Sequence, residues 1–197
     1  MKAGKPPMSR STPPTESFFA RAGRQGVAEL RREMAAVLED PIAKAVLESL
    51  DGMVVVLNEE RQILAANETL LEALRGEGLV DPFGMRWGEA SHCVHVAEGP
   101  DGCGTSRACR YCGAALGILA AQEGGVPVTG ECRMAIRRDG KWEAREFQIK
   151  ATPLDLPFGQ VLVPVFHDVS DRNRREILEA AFLPNANDVF NAAVSIL

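Results

Sequence analysis

The chain has 197 residues, of which 46% are hydrophobic and 25% are charged, so it can form one domain of ordinary size with extensions. Its net charge of −5 provides no overall field that would attract nucleic acid or anionic lipid. The longest apolar runs fall far short of the roughly 20 residues that a membrane-spanning helix needs, and the first residues lack the apolar stretch of a secretory signal. We therefore expect a cytoplasmic protein whose partners are neither nucleic acids nor membranes.

Composition and periodicity divide the chain into four segments. Residues 1–27 are rich in Pro, Ser, Gly and Arg and show no sustained period, which predicts a flexible tail. Residues 28–50 carry apolar side chains at helical spacing and predict two short amphipathic helices. Residues 51–168 form the central domain, and residues 169–197 return to helical spacing, which indicates C-terminal signalling helices.

The central domain combines strand patterns with two helical stretches, the first of which is capped by Asn67 and ends at Gly76. Residues 52–57 and 62–66 flank a polar turn and predict a hairpin, and residues 108–122 predict a helix. Three further strands are expected at residues 126–137, 141–152 and 160–167. This order describes an α+β fold, with a five-stranded antiparallel sheet and helices on one face.

Two stretches resemble the beginning and end of a PAS domain. Gly52 to Asn67 is similar to a PAS opening, and Val165 to Arg172 resembles the exit of the last PAS strand into a signalling helix. The resemblance covers about residues 48–183 and implies a sensory domain of the kind found in bacterial sensor histidine kinases. Pro164 departs from the pattern, because a proline in a central strand removes a hydrogen-bond donor, so we expect a bulge there.

Four cysteines lie close together in the irregular middle of the domain. They are spaced C-x9-C-x5-C-x2-C, at Cys93, Cys103, Cys109 and Cys112. A helix that begins at Ala108 would place the last two on one face of its first turn, where free amides favour thiolates. The spacing predicts that the four sulfur atoms converge on one centre.

Several chemistries remain open for these cysteines. Four thiolates suit an iron–sulfur cluster, and the PAS resemblance implies that such a cluster would sense oxygen or redox state. They also suit a structural zinc ion, for which His92 or His95 could replace Cys93. Without a metal, the thiols could switch to disulfides or serve simply as buried core residues.

A third possibility is a sensor of small molecules. The strand alternation places Cys132 and Met134 on the apolar face, where, together with Phe147, they are expected to line the cavity that PAS domains use for ligands. A core role is the simpler interpretation of Cys132, because free cysteine is often simply buried.

The C-terminal region indicates partners rather than catalysis. Residues 187–191 resemble the phosphoacceptor sequence of histidine kinases, but Asn187 stands where the nucleophilic histidine belongs, so we expect no autophosphorylation. Catalytic motifs such as a phosphate loop or a nucleophile elbow are absent from the sequence, which predicts a protein that is not an enzyme. The apolar stripes of the flanking helices predict a homodimer that acts on a downstream kinase or regulator, and Pro184 is expected to interrupt the last helix.

Overall fold

A computed structural model describes residues 16–138 and 140–194 of the chain. Its helices are α1 (Val27–Glu39), α2 (Pro41–Ser49), α3 (Glu68–Gly76), α4 (Trp87–Ala90), α5 (Gly113–Gly124) and α6 (Ser170–Val194). Its strands are β1 (Met53–Leu57), β2 (Ile63–Ala66), β3 (Val128–Arg138), β4 (Lys141–Leu156) and β5 (Gly159–Asp168). Two 3-10 helices, Val94–Glu98 and Arg107–Tyr111, lie between α4 and α5. None of the described helices is both long and apolar enough to cross a lipid bilayer.

The five strands form one antiparallel sheet in the order β2-β1-β5-β4-β3. The predicted α+β class and five-stranded sheet are therefore confirmed. The first hairpin pairs Val56 with Ala65, and the two long strands of the second hairpin pair from Val128–Ala151 to Arg138–Lys141. The strand β5 enters between β1 and β4, which brings the two ends of the central domain together in the middle of the sheet.

Each face of the sheet is covered by a separate hydrophobic layer. Val55 of β1 points into the layer that contains α3 and α5, whereas its neighbours Val54 and Val56 point into the layer that contains α1 and α2. Val37 of α1 and Ala43 of α2 are fully buried in that second layer. The apolar stripe predicted for the N-terminal helices thus packs against the chain's own sheet.

Pro164 sits in β5 without the bulge that the sequence predicts. The pairs Val54–Val165 and Leu57–Leu162 share one register, and no pairs between β5 and β1 form between them. On the other side, Pro164 pairs with Ala151 in an unbroken ladder. A gap in one ladder therefore accommodates the residue that lacks an N–H group, and the strand stays regular.

The helices at the end of the cysteine-rich stretch and at the C-terminus differ from the prediction. The helix expected from Ala108 begins instead at Gly113, with Cys112 as its N-cap, and a 3-10 helix precedes it. A side chain on Gly113 would meet the carbonyl oxygen of Glu131 at 1.7 Å, so this backbone contact with β3 fixes where α5 begins. The helix α6 continues through Pro184 to Val194 instead of being interrupted.

Part of the predicted flexible tail has a defined place. Residues 16–26, here called the N-terminal segment, run beside the loop that carries Cys103. The backbone amides of Phe18 and Ala20 donate to the carbonyl oxygens of Thr105 and Gly104, at 3.1 and 2.9 Å. The remainder of the predicted tail, residues 1–15, lies outside the described residues.

Candidate functional site

A cavity of about 290 Å³ lies between α5 and the irregular stretch of residues 91–112, here called the cysteine segment. Its wall contains all four of the clustered cysteines, Cys93, Cys103, Cys109 and Cys112. The rest of the lining is largely apolar, with Ala20 from the N-terminal segment on the same wall. The structure therefore brings the four predicted site residues to one space, and it adds a segment that the sequence did not connect with them.

Different local structures position the four sulfur atoms. Cys93 precedes the first 3-10 helix and pairs with Ile136 in an isolated bridge to β3. Cys103 stands between Gly102 and Gly104, whose φ angles of 71° and 92° lie in the left-handed region that glycine adopts easily. The other two follow in order: Cys109 lies in the second 3-10 helix and Cys112 caps α5.

Gly88 of α4 allows two of these cysteines to approach each other. A Cβ atom at this position would lie 2.7 Å from the Sγ atom of Cys103 and 3.4 Å from the Cβ atom of Cys93. A contact at 2.7 Å is shorter than real Cβ contacts, so a side chain at this position would require the sulfur atom of Cys103 to shift. The position of Cys103 thus depends on the absence of a side chain on α4.

The side chain of Arg86 binds the backbone of the loop that carries Cys103. Its side chain is only 1% exposed, and its guanidinium donates to the carbonyl oxygen of Cys103 at 3.1 Å and to that of Asp101 at 2.7 Å. It also donates to the carbonyl oxygens of Glu60 and Gly23. One buried side chain thereby connects the cysteine segment, the β1–β2 turn and the N-terminal segment.

A carboxylate completes this connection. Glu89 accepts a hydrogen bond from the backbone N–H of Cys103 at 3.1 Å and forms a two-pronged ion pair with Arg24. Arg24 also pairs with Asp101 at 2.9 Å. Burial alone would raise the pKa of Glu89, but the hydrogen bonds from Arg24 and the backbone amides lower it below its usual value.

Burial determines the protonation of two of the cavity thiols. Burial, together with the neighbouring thiols of Cys109, Cys112 and Cys93, raises the pKa of Cys103 to about 12. Burial also raises the pKa of Cys93. Because the thiolates would repel one another, a bound cation would have to displace their protons.

Cys112 has a different environment because of a fifth cysteine. The Sγ atom of Cys132, a fully buried residue of β3, lies 3.7 Å from the Sγ atom of Cys112. The hydrogen bond with Cys132 lowers the pKa of Cys112 to about 6, and the backbone amides of Ala115 and Ala114 at the start of α5 also favour the thiolate. The same hydrogen bond raises the pKa of Cys132.

The charged residues that line the cavity are basic. They are Arg61, Arg86 and Arg133, and no carboxylate occurs among the described lining residues. Arg61 is 8% exposed, and its Nε atom has no hydrogen-bond partner among the described residues. Burial, with help from the charge of Arg86, lowers the pKa of Arg61 to about 10. The cavity therefore presents positive charge and a free donor to whatever occupies it.

The remaining predicted site residues are spread over the fold. His95 lines the cavity and its Nδ1 atom lies 2.8 Å from Glu98, whereas His92 is exposed and does not line it. Met134 lines the cavity, and Cys132 lies behind Cys112. Phe147 instead packs edge-on against Trp87 and lines a separate pocket.

The four cysteines surround the cavity without converging on one point. Within residues 16–138 and 140–194, no three His, Cys, Asp or Glu side chains form a group that could hold a single metal ion. The residues available to hold a larger centre are the four cysteines of the cavity wall. The sequence analysis did not identify Arg61 and Arg86 as site residues, because no sequence pattern around them indicates burial. Only the fold shows that they are buried beside these thiols.

A five-stranded antiparallel sheet in the order β2-β1-β5-β4-β3, with a cavity between its helices and one face, is the arrangement of the PAS fold. No protein-family model matches the chain. No curated protein matches it either.

Solved PAS and LOV domains are similar to the chain at low sequence identity. A PAS domain from a two-component sensor histidine kinase is 13% identical with a TM-score of 0.38, covering 72% of this chain and 98% of that one. The PAS domain of an HTR-like protein from Haloarcula marismortui is 15% identical with a TM-score of 0.39, covering 70% and 98%. The light-state LOV domain of the photoreceptor aureochrome1 is 16% identical with a TM-score of 0.40, covering 71% and 98%.

Proposed function

We propose that this chain is a non-catalytic PAS-type sensor of oxygen or redox state, and that Cys93, Cys103, Cys109 and Cys112 hold an iron–sulfur cluster in its cavity. The observation that carries the proposal is the presence of all four thiols on the wall of one cavity of about 290 Å³. When bound, the cluster supplies a centre that exchanges electrons or reacts with oxygen. The thiols hold it, and the surrounding residues control its exposure to solvent.

The arrangement of the sulfur atoms favours a cluster over zinc. A tetrahedral zinc ion needs four ligand atoms, each about 2.3 Å from one point when the ligands are thiolates. The described residues contain no group of even three such ligands. In a four-iron cluster, each thiolate binds a different iron atom, so ligands distributed around a cavity suit it better than a single ion.

The charges around the cavity also favour an anionic occupant. Thiolates and sulfide ions bring negative charge, which Arg61, Arg86 and Arg133 would offset. The Nε atom of Arg61 is a buried donor without a partner, and a sulfur atom in the cavity would accept its hydrogen bond. Hydrogen bonds of this kind to sulfur are among the factors that set the potential of such clusters.

Two connections lead from the cysteines towards the ends of the chain. The backbone of Cys103 reaches α1 through Glu89 and Arg24, because Arg24 lies three residues ahead of Val27, where that helix begins. Cys112 is the N-cap residue of α5, so the second connection runs through its backbone into that helix. We propose that a change at the cavity alters the order of the cysteine segment and moves these helices.

We further propose that α6 pairs with a second copy of the chain, which would then act on a downstream kinase or regulator. Ile177, Leu178 and Phe182 are 65%, 51% and 67% exposed on this 25-residue helix. Identical apolar surfaces on two copies can pack against each other across a two-fold axis.

Light scattering should give the mass of a dimer for the native chain and the mass of a monomer for Ile177→Glu. The control is Val80→Glu, because Val80 is 80% exposed and this substitution should leave the dimer unchanged. A monomeric native chain would exclude the pairing.

The cluster is tested by metal analysis of protein purified without oxygen. The native chain should be brown and contain iron and acid-labile sulfide in about equal amounts. Replacing Cys109 and Cys112 together by serine should remove both, whereas Cys132→Ser should retain them because Cys132 does not line the cavity. A colourless protein with one zinc ion per chain would contradict the proposal, as would iron that survives the double substitution.

A further inference from the structure

The contact between Cys112 and Cys132 connects the cavity wall to the buried face of β3. Their sulfur atoms lie 3.7 Å apart, against about 2.05 Å in a disulfide, so closure requires a movement of less than about 2 Å. Cys112 is half-buried and lines the cavity, whereas Cys132 is fully buried behind it. One sulfur is thus accessible and the other is protected.

The backbone holds the two cysteines at this separation. Gly113, next to Cys112, is so close to β3 that a Cβ atom on it would lie 1.7 Å from the carbonyl oxygen of Glu131 and 3.3 Å from the amide nitrogen of Cys132. This contact places adjacent residues of α5 and β3 against each other without an intervening side chain. The sulfur atoms can therefore approach through side-chain rotation, with little change in the backbone.

We propose that Cys112 and Cys132 form a redox-active dithiol that closes to a disulfide when no metal centre holds Cys112. The pair shares Cys112 with the four-cysteine wall, but its second member, Cys132 of β3, does not line the cavity. If the proposed function holds, the disulfide competes with the iron–sulfur cluster for Cys112. This competition rests on the proposed function, whereas the disulfide itself does not. Closure then joins the N-cap residue of α5 to β3, an edge strand of the sheet.

The chemistry balances with a peroxide as the oxidant. The sulfur of Cys112, reached through the cavity, attacks one peroxide oxygen; the O–O bond breaks, one water leaves, and Cys112 becomes a sulfenic acid. The sulfur of Cys132 then attacks the sulfur of Cys112, the S–O bond breaks, and a second water leaves as the S–S bond forms. Two thiols lose two electrons and two protons, and one hydrogen peroxide is reduced to two waters.

The sequence makes this bond easy to detect. Trypsin cleaves after Arg107, Arg110 and Arg133, so residues 111–133 form one peptide that contains Cys112 and Cys132 and no other cysteine. A disulfide lowers the mass of that peptide by two hydrogens and prevents alkylation of both residues. Cleavage after Glu123 then divides the peptide into halves that stay joined until a reductant is added.

The experiment treats the full chain, freed of metal by a chelator and fully reduced, with hydrogen peroxide before alkylation. We expect the disulfide-linked form of residues 111–133 to dominate, and Cys132→Ser to leave Cys112 as a sulfenic or more oxidised acid instead. Alkylation of both residues after treatment, or a link from Cys112 to Cys109 instead, would overturn the proposal. Metal content is measured separately, so loss of the disulfide in a protein that still binds iron refutes only this inference.

Discussion

Glu89 accepts a hydrogen bond from the backbone N–H of Cys103 at 3.1 Å, and the same carboxylate pairs with Arg24. The connection joins the loop of a predicted site cysteine to the N-terminal segment, although Arg24 and Glu89 are 65 positions apart. It makes the order of residues 16–26 depend on the cysteine segment. The stability of this connection is accessible to measurement with single substitutions.

Replacing Glu89 by glutamine keeps an oxygen that can accept from the Cys103 amide but removes the charge opposite Arg24. We expect the free energy of unfolding to fall by about 1–2 kcal/mol, because the Glu89 side chain is only 14% exposed. Urea denaturation measures the change. Glu68→Gln is the matched control: its partner Arg75 and Glu68 itself are 48% and 64% exposed, so the loss should stay below about 0.5 kcal/mol. Equal losses in both variants would show that the Arg24 pair contributes no more than a surface pair.

Arg86→Lys tests the buried guanidinium. A lysine has one nitrogen and cannot replace the fork that reaches the carbonyl oxygens of Cys103, Asp101 and Gly23. We expect a loss of about 3 kcal/mol or more, because the fully buried side chain would lose most of its hydrogen bonds to these carbonyl groups. The midpoint temperature of thermal unfolding should fall by several degrees in Arg86→Lys. Arg172→Lys should leave this temperature unchanged, because the Arg172 side chain is 62% exposed. A small effect at Arg86 would mean that water replaces its hydrogen bonds.

Two glycines of α5 should respond in opposite directions to alanine. Gly113→Ala would drive a methyl group into the carbonyl oxygen of Glu131, so we expect a loss of at least about 2 kcal/mol. At Gly117 the nearest atom to a new methyl group is 4.0 Å away on Ile149, and alanine in a helix should gain up to about 1 kcal/mol. Urea denaturation gives the free energy of unfolding of the two variants. A tolerated Gly113→Ala would show that α5 does not depend on its contact with β3.

Gly88→Ala tests the cavity without removing a cysteine. The new methyl group would lie 2.7 Å from the Sγ atom of Cys103 and should displace it from the wall. Because a site displaced by about 1 Å binds poorly, we expect iron content to fall at least about twofold. Gly76→Ala, where a methyl group meets nothing within 4 Å, is the control that should retain iron. Unchanged iron content in Gly88→Ala, with the fold intact by circular dichroism, would argue against Cys103 as a ligand.

The junction of β5 and α6 should be sensitive to acid. Burial alone would raise the pKa of Asp168, but hydrogen bonds from Ser170 and Arg145 lower it below its usual value. The ionised carboxylate therefore stabilises the fold above its unfolded pKa near 3.8, and this contribution is lost as the pH falls through the lower folded value. Asp168→Asn should be about 1 kcal/mol less stable at neutral pH, and the difference should shrink in acid.

The matched control for this pH dependence is Asp155→Asn, because Asp155 only accepts an exposed hydrogen bond from the side chain of Gln160. Its stability should stay within about 0.5 kcal/mol of the native chain across the same range. Unfolding followed between neutral pH and about pH 3 compares the three proteins. A difference between native and Asp168→Asn that grows in acid would contradict the assigned direction of the pKa.

The sheet was predictable from the sequence because burial alternates along strands such as β3, where Met134 and Ile136 are buried. The spacing of the four cysteines also predicted that they lie near one another, and they line one cavity, but among the described residues they form no group that could hold a single metal ion. The start of α5 was not predictable, since it depends on the approach of Gly113 to Glu131 across the fold. Nor were the basic residues of the cavity, because nothing near Arg61 in the sequence distinguishes a buried arginine from an exposed one.

X-ray absorption at the iron edge of the anaerobically purified chain can establish whether four cysteine thiolates surround one iron–sulfur centre. We expect a first shell made only of sulfur atoms, with a second iron atom close beyond it. Nitrogen or oxygen ligands around isolated iron, or a preparation that contains no iron, would contradict it.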